Sequence, residues 1–361
     1  MTEKREIGRT GLMVPSIAFG TSGLGNMPET YGYEVEEARA LATVRAILDR
    51  PDGFLDTSRN YGLGRSEERV GMVVRELGGW PEGRVLSTKL DRDANDRFDG
   101  AAARRSFEAS LAALGVERVD ILHLHDPEYA ADPAEVTRKG GAVEALMKIK
   151  EEGLATAVGL AAGRIDVMMP ILRDFDFDVL VTHNRLTLVN RNAEPLLALA
   201  AERGVSVLNA APYAGGALAK GAVHGRYVYQ EATEATMAPV RRVEAICARH
   251  GVPPGAVALQ FSTRDPRVAA TICGVSRPER VKETLDWAAW PVPEDVWAEL
   301  AAQPYATDDP EATRDYKLGF VLDAVLASDA HVLAFAAEAG LAPEEAARAR
   351  ATLGGGEPHW T

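Results

Sequence analysis

Residues 54–79 read FLDTSRNYGLGRSEERVGMVVRELGG, and the change of period along this stretch decides the fold. Phe54–Thr57 is a short run of strand type, whereas Val70, Val73, Val74 and Leu77 recur at the spacing of one helix face. Ser66 is the expected N-cap, Glu67 and Glu68 suit the positive end of the helix dipole, and Gly78–Gly79 end the helix expected over Ser66–Leu77. The stretch is one strand followed by one helix.

The same unit recurs on both sides. Strands are expected at Ser16–Gly20, Phe54–Thr57, Val85–Lys89, Val119–His125, Ala155–Leu160, Val179–Thr182, Ser206–Asn209 and Val268–Ile272, each followed by a helical pattern. Eight such units predict parallel strands with crossover helices, the pattern of an α/β protein built as a (β/α)8 TIM barrel. A helix over Val240–His250 stops at Gly251, with Pro253 and Pro254 beyond. Three connections after strands, Thr21–Tyr33, Asp126–Gly140 and Ala214–Ala238, exceed what a turn needs, and in a barrel they fall on the C-terminal face, as lids, walls or tolerated insertions. Arg5–Val14 reads as an N-terminal hairpin that plugs the barrel bottom. Pro293–Ala301 and the alanine-rich stretch to Thr361 read as extra C-terminal helices outside the barrel or over its mouth. The expected organisation is one domain over 1–361, with the barrel at about 5–290 and the extension at about 291–361.

Composition agrees with a self-sufficient core: of 361 residues, 46% are hydrophobic and 26% charged. A net charge of −13 would repel a phosphate backbone, which argues against nucleic acid as a partner. Cys247 and Cys273 stand in no metal or redox spacing, which fits a reducing compartment. The start, MTEKREIGRTGL, is charged where a secretory signal is apolar, and no later stretch is apolar long enough to span a bilayer. The expectation is a soluble, cytoplasmic protein with a small-molecule substrate and no membrane partner; the oligomeric state is not written in the sequence.

Polar residues at the last inward positions of barrel strands are where chemistry collects. Asp56 ends Phe-Leu-Asp-Thr, with Tyr61 five positions on; Lys89 ends Val-Leu-Ser-Thr-Lys; His125 ends Val-Asp-Ile-Leu-His-Leu-His. Singly, each has an ordinary reading as a turn former, packing group, surface lysine or satisfied histidine. Together they suggest a tyrosine that trades a proton: the Lys89 ammonium would lower the Tyr61 pKa, Asp56 would hold Lys89, and His125 would donate a hydrogen bond to the substrate oxygen. Such a site needs a hydride carrier, hence nicotinamide.

At these residues the chain resembles the aldo-keto reductase family. FLDTSRNYGLGRSEERVG is similar to the family segment with the catalytic aspartate and tyrosine, VLSTKL to its lysine strand, and VDILHLHDPE to its histidine strand. The resemblance makes Asp56, Tyr61, Lys89 and His125 the catalytic tetrad. It implies NAD or NADP, with NAD favoured, held by Gly20, Thr21, Asp56, Ala211, Pro212 and Tyr213. TICGVSRPERVKETL is similar to the segment for the adenosine phosphate end, which adds Gly274, Val275, Ser276, Arg280, Glu283 and Thr284. Three positions depart from the family: Gly274 where NADP-preferring members have lysine, Ala210 where a ring stacks on nicotinamide, and Ala161–Ala162 where serine and asparagine bind the carboxamide, leaving His183 or Asn184 as substitutes. NAAPYAGG and HDPE resemble the subgroup of aldose 1-dehydrogenases (L-fucose or L-galactose dehydrogenases) and pyridoxal 4-dehydrogenase, which implies oxidation of an aldose to its lactone or action on pyridoxal.

A Rossmann G-x-G-x-x-G is absent, and Gly23-x-Gly25 reads as a turn. Two other readings stand beside this one. No metal is expected in the preferred reading, but His123 and His125 share a strand face, and with Lys89, Asp126 and His183 they outline a zinc hydrolase on the same barrel. The other is a non-catalytic aldo-keto reductase that binds nicotinamide as a regulatory subunit.

Overall fold

The computed structural model describes residues 3–93 and 95–314. All eight expected strands form: β1 Ile17–Gly20, β2 Phe54–Asp56, β3 Val85–Leu90, β4 Val119–His125, β5 Ala155–Ala161, β6 Val179–His183, β7 Ser206–Ala210 and β8 Val268–Gly274. Neighbouring strands pair in parallel around the ring, and β8 closes onto β1. Parallel neighbours require a crossover outside the sheet. The crossovers carry α1 Glu37–Leu48, α2 Arg65–Glu76, α3 Gly100–Leu114, α4 Ala142–Glu151, α5 Ile165–Asp174, α6 Glu194–Arg203, α7 Glu234–His250 and α8 Pro254–Thr263, with α9 Pro278–Ala288 and α10 Glu294–Ala301 following β8. The fold is the (β/α)8 barrel that the strand–helix alternation predicts. No helix among the described residues is long and apolar enough to cross a membrane.

Strand alternation divides the core in two. On β4, Leu122 and Leu124 pack outward among the helices, whereas Ile121 packs on the barrel axis with Ala18, Phe54, Val85, Ala157, Val179 and Leu208. Continuing the inward side of β4 past Ile121 brings His123 and then His125 toward the C-terminal mouth. The bottom is filled by Ile7 and Val14 of an antiparallel ribbon, Lys4–Glu6 with Met13–Pro15, as the hairpin reading of this segment expects.

Three local expectations are corrected. Ser66 does not cap α2, which starts after Gly64; its hydroxyl instead bonds the Thr21 carbonyl oxygen at 2.9 Å and the Thr57 hydroxyl at 3.2 Å, fastening the loop after β2 to that after β1. Helix α7 starts at Glu234 rather than Val240, because Thr233 and Thr236 form a reciprocal cap and the helix runs on through Pro239. After α10 the chain is not helical over 302–314 and lies along the loop after β6, where the Ala306 amide donates to the Val189 carbonyl and the Arg191 amide to the Ala306 carbonyl. The alanine-rich stretch to Thr361 lies outside the described residues.

Candidate active site

The loops at the C-terminal ends of the strands enclose a cavity of about 380 Å³, within the size range of small-molecule sites. Leu63, Asp126, Asn184, Ala211 and Ala214, in the loops after β2, β4, β6 and β7, all have positive φ. Non-glycine residues adopt this conformation only where surrounding packing imposes it, and such positions gather at functional sites.

Register brings the four candidate catalytic residues to one wall. Asp56 lies level with Gly20 and Ser87, and Lys89 lies level with His123. The Lys89 ammonium donates to Asp56 Oδ2 at 2.8 Å and to the Thr57 carbonyl at 2.6 Å, while the Ser87 hydroxyl donates to Asp56 Oδ1 at 2.8 Å. Lys89 Nζ also lies 4.9 Å from the centre of the Tyr61 ring, and the Tyr61 and His125 rings meet edge to face at 5.8 Å. The loop that carries Tyr61 presses on the loop after β1 so closely that a Cβ at Gly62, where φ is +63°, would fall 2.0 Å from the Gly25 carbonyl oxygen. Glycine there fixes where the phenol can stand.

The expectation that Lys89 makes Tyr61 acidic is corrected. The Tyr61 ring is partly open to the cavity, but the packed groups around it desolvate the phenol, and with Asp56 they push its pKa well above the usual value. Lys89 stands over the ring face with its hydrogen bonds given to Asp56 and Thr57.

Sequence reasoning missed Asp91. Its Oδ1 lies 2.5 Å from His125 Nδ1, its Oδ2 accepts from the Ser58 hydroxyl at 2.5 Å and from the Asn60 amide at 2.9 Å, and Ser58 Oγ is itself 3.1 Å from His125 Nδ1. Alternation held the signal, since Ser87, Lys89 and Asp91 are two residues apart, but Asp91 lies one residue past the strand end. Burial disfavours the His125 cation, yet Asp126 and Asp91 outweigh it and the pKa is raised. His123 lies deeper, fully buried, and burial followed by the charges of Lys89 and His125 keeps it neutral.

Of the candidate cofactor residues, Gly20, Asp56, His183, Ala211, Tyr213, Gly274, Val275, Ser276, Arg280 and Glu283 line the cavity. Four do not. Thr21 turns its hydroxyl to the Asp56 carbonyl, Thr284 bonds back to the Arg280 carbonyl within its helix, Pro212 is buried behind the wall, and the Asn184 amide donates to Glu311 at 3.0 Å. At one end of the cavity stand Lys220, Arg226, Arg277 and Arg280, with Glu283 bridging the last two at 3.1 and 2.9 Å. Partial desolvation and then Arg280, Arg277 and Arg226 lower the Lys220 pKa, the mark of cations gathered without enough negative charge. Such a donor set fits the phosphates of a nicotinamide dinucleotide.

The segment 305–314 also contributes to the wall, which no motif signals. Glu311 Oε1 lies 3.1 Å from His183 Nδ1 and 3.2 Å from Arg185 Nη1, Glu311 Oε2 takes Arg314 at 2.8 Å, and Arg185 reaches Asp309 at 2.5 Å. These cations hold the buried Glu311 carboxyl well below the usual range against the effect of burial. No group of three or more His, Cys, Asp or Glu side chains among the described residues is arranged to hold a metal ion, and the zinc hydrolase reading gains no support.

The sequence profile of the aldo/keto reductase family matches residues 16–303, which span this barrel. The chain belongs to that family and is an oxidoreductase. It is 30% identical over 318 residues to the D-threo-aldose 1-dehydrogenase of a Pseudomonas species, an alignment covering 81% of this chain and 94% of that protein. Identity to the pyridoxal 4-dehydrogenase of Microbacterium luteolum is 28% over 344 residues (84% and 97%), and to the L-galactose dehydrogenase of Arabidopsis thaliana 29% over 288 residues (78% and 87%). The holo form of an aldo-keto reductase from Bacillus halodurans has the same fold, with a TM-score of 0.69 at 21% identity over 87% of this chain and all of that one. A second profile, described only as a protein of unknown function (DUF3572), matches residues 310–356 and so takes in Glu311 and Arg314.

Proposed function

We propose that the protein is a nicotinamide-dependent aldose dehydrogenase that oxidises the anomeric carbon of a cyclic aldose to a lactone and prefers NAD to NADP. The observation that carries this reading is the cavity itself, where Asp56, Tyr61, Lys89 and His125 line one wall and an excess of cations lines the other end. The relatives named as D-threo-aldose and L-galactose dehydrogenases support the sugar.

When bound, the oxidised nicotinamide supplies the acceptor for the hydride. Gly20, Gly274, Val275, Ser276 and Arg280 would hold the dinucleotide, with Lys220 and Arg226 toward its phosphates and His183 toward the carboxamide. The Tyr61 hydroxyl would hydrogen-bond the reacting oxygen and stabilise the negative charge that develops there as the O–H proton leaves through the wall of Tyr61 and His125 to solvent, charge that is withdrawn again as the C–H bond breaks. Asp56 keeps the Lys89 ammonium buried and pinned under the Tyr61 ring, and the enclosed wall strengthens both interactions by excluding water.

The test follows absorbance of reduced nicotinamide with NAD or NADP against L-fucose, L-galactose, D-arabinose, pyridoxal and simple aldehydes. The reading expects NAD reduction with at least one aldose and its lactone as product. Turnover confined to pyridoxal or to simple aldehydes would overturn the sugar assignment.

A further inference from the structure

The ends of β5, β6 and β7, with the residues just after them, present Ala161, Ala162, Val181, His183, Ala210 and Ala211 to the cavity. Of these six side chains only the His183 imidazole can form a hydrogen bond. The loops after β7 and β8 carry the cations Lys220, Arg226, Arg277 and Arg280, and Tyr61 stands in the loop after β2. A dinucleotide with its phosphates among those cations and its reacting ring facing Tyr61 would bring the nicotinamide carboxamide to this apolar stretch. An amide enclosed there without a partner is costly.

What His183 offers is set by Glu311. Its Nδ1 lies 3.1 Å from Glu311 Oε1, and a carboxylate only accepts. Two lone pairs facing each other at that distance repel, so Nδ1 carries a proton. The Asn184 amide nitrogen, 3.4 Å from Nδ1, has a closer acceptor in the same Glu311 oxygen at 3.0 Å. The guanidiniums of Arg185 and Arg314 balance the carboxylates of Glu311 and Asp309, so the ring completes the cluster as a neutral group. A neutral imidazole that donates from Nδ1 has its lone pair on Nε2. We propose that Glu311 is the positioning residue for His183, holding the proton on Nδ1 and leaving Nε2 to accept a hydrogen bond from the carboxamide amino group of bound nicotinamide.

The assignment rests on the dehydrogenase reading and deepens it. The brace stands outside the family pattern, since the family profile ends at residue 303. Glu311 Oε1 gathers three consecutive residues, His183, Asn184 and Arg185, and Asn184 holds a φ of +58°. Arg185 runs so close to the loop after β5 that a Cβ at Gly163 would fall 2.9 Å from its Nη1. The acceptor is therefore fixed by packing on both sides. Burial alone would favour the protonated acid, but His183, Arg185 and Arg314 keep Glu311 ionised.

The experiment measures dissociation constants of NAD and of its acetylpyridine analogue, whose methyl ketone keeps the carbonyl oxygen and lacks the amino group. Titration calorimetry is run without substrate at about pH 8, where an ordinary imidazole is neutral. One neutral hydrogen bond makes wild-type protein bind NAD roughly two- to tenfold more tightly than the analogue. His183→Phe is expected to bind the two equally. In Glu311→Gln, whose amide can donate to Nδ1 as well as accept from it, most of the discrimination is lost. A substitution that merely loosens the wall weakens both dinucleotides alike and leaves their ratio unchanged. Equal affinities in wild type, or wild-type discrimination kept in Glu311→Gln, overturn the proposal. If Glu311→Gln fails to fold, nitrogen-15 NMR of histidine-labelled wild type, with the His183 signal assigned by its loss in His183→Phe, reads the same point. A proton on Nδ1 is expected, and one on Nε2 overturns the assignment. A wild-type protein that discriminates but oxidises no aldose sinks the substrate reading and leaves the pairing of Glu311 with His183 standing.

Discussion

At position 274 the chain has no side chain, and a Cβ added there meets nothing within 4 Å. A side chain can therefore begin there without displacing the wall. Close by, Glu283 engages both Arg277 and Arg280, so the cations that could grip a 2′-phosphate already share a carboxylate. One charge-assisted contact contributes about 1.5–3 kcal/mol, or roughly ten- to a hundredfold in affinity. Gly274→Lys is expected to raise kcat/KM for NADP by that order while leaving NAD nearly as it was. A wild-type preference for NADP above about a hundredfold would exceed what one such contact supplies and contradict the NAD-favouring reading. Single residues were legible where a strand motif framed them. Asp56 and His125 end strands and Lys89 lies one residue before a strand end, with the inward side set by alternation, whereas Asp91 lies just past a strand end and Glu311 is 126 residues from its Arg185 partner, a pairing that no local period encodes.

Helices and strands followed from period and composition because each buries one face. What the sequence could not supply was the use of polar groups at their ends. Ser66 looks like a cap and acts as a cross-loop fastener, and the helix expected from Val240 starts at Glu234, with Pro239 inside α7. The segment 305–314 is the largest such case, since its position depends on charges brought together only by the fold. Arg185, 2% exposed, binds Asp309 and Glu311 from the loop after β6. Removing one partner of a buried ion pair typically costs about 3–5 kcal/mol, and here His183 and Arg314 remain to limit the loss. Arg185→Ala should therefore speed amide exchange in 305–314 and, through Glu311 and His183, weaken binding in the cavity. Faster exchange spread evenly over the barrel, with none selective to 305–314, would contradict this role for the segment.

The whole molecule divides its labour between a packed lower barrel and a polar mouth. Inward residues of the strands are apolar near the ribbon that carries Ile7 and Val14, and become Asp56, Lys89 and His125 at the other end. That gradient was readable, because it needs only the strand period and the order of residues along each strand. The charge balance of the mouth was not, because Tyr61 owes its raised pKa to desolvation by neighbours from separate elements and to Asp56. This mouth is expected to carry out the redox chemistry through the Tyr61 hydroxyl. The most direct test is turnover and cofactor affinity of Tyr61→Phe, which keeps the ring and removes only the donor. Loss of one such donor typically lowers kcat by about 10²–10³-fold, and a drop of that order is expected with cofactor affinity little altered; a variant that keeps more than about a tenth of wild-type kcat would rule out this role for Tyr61.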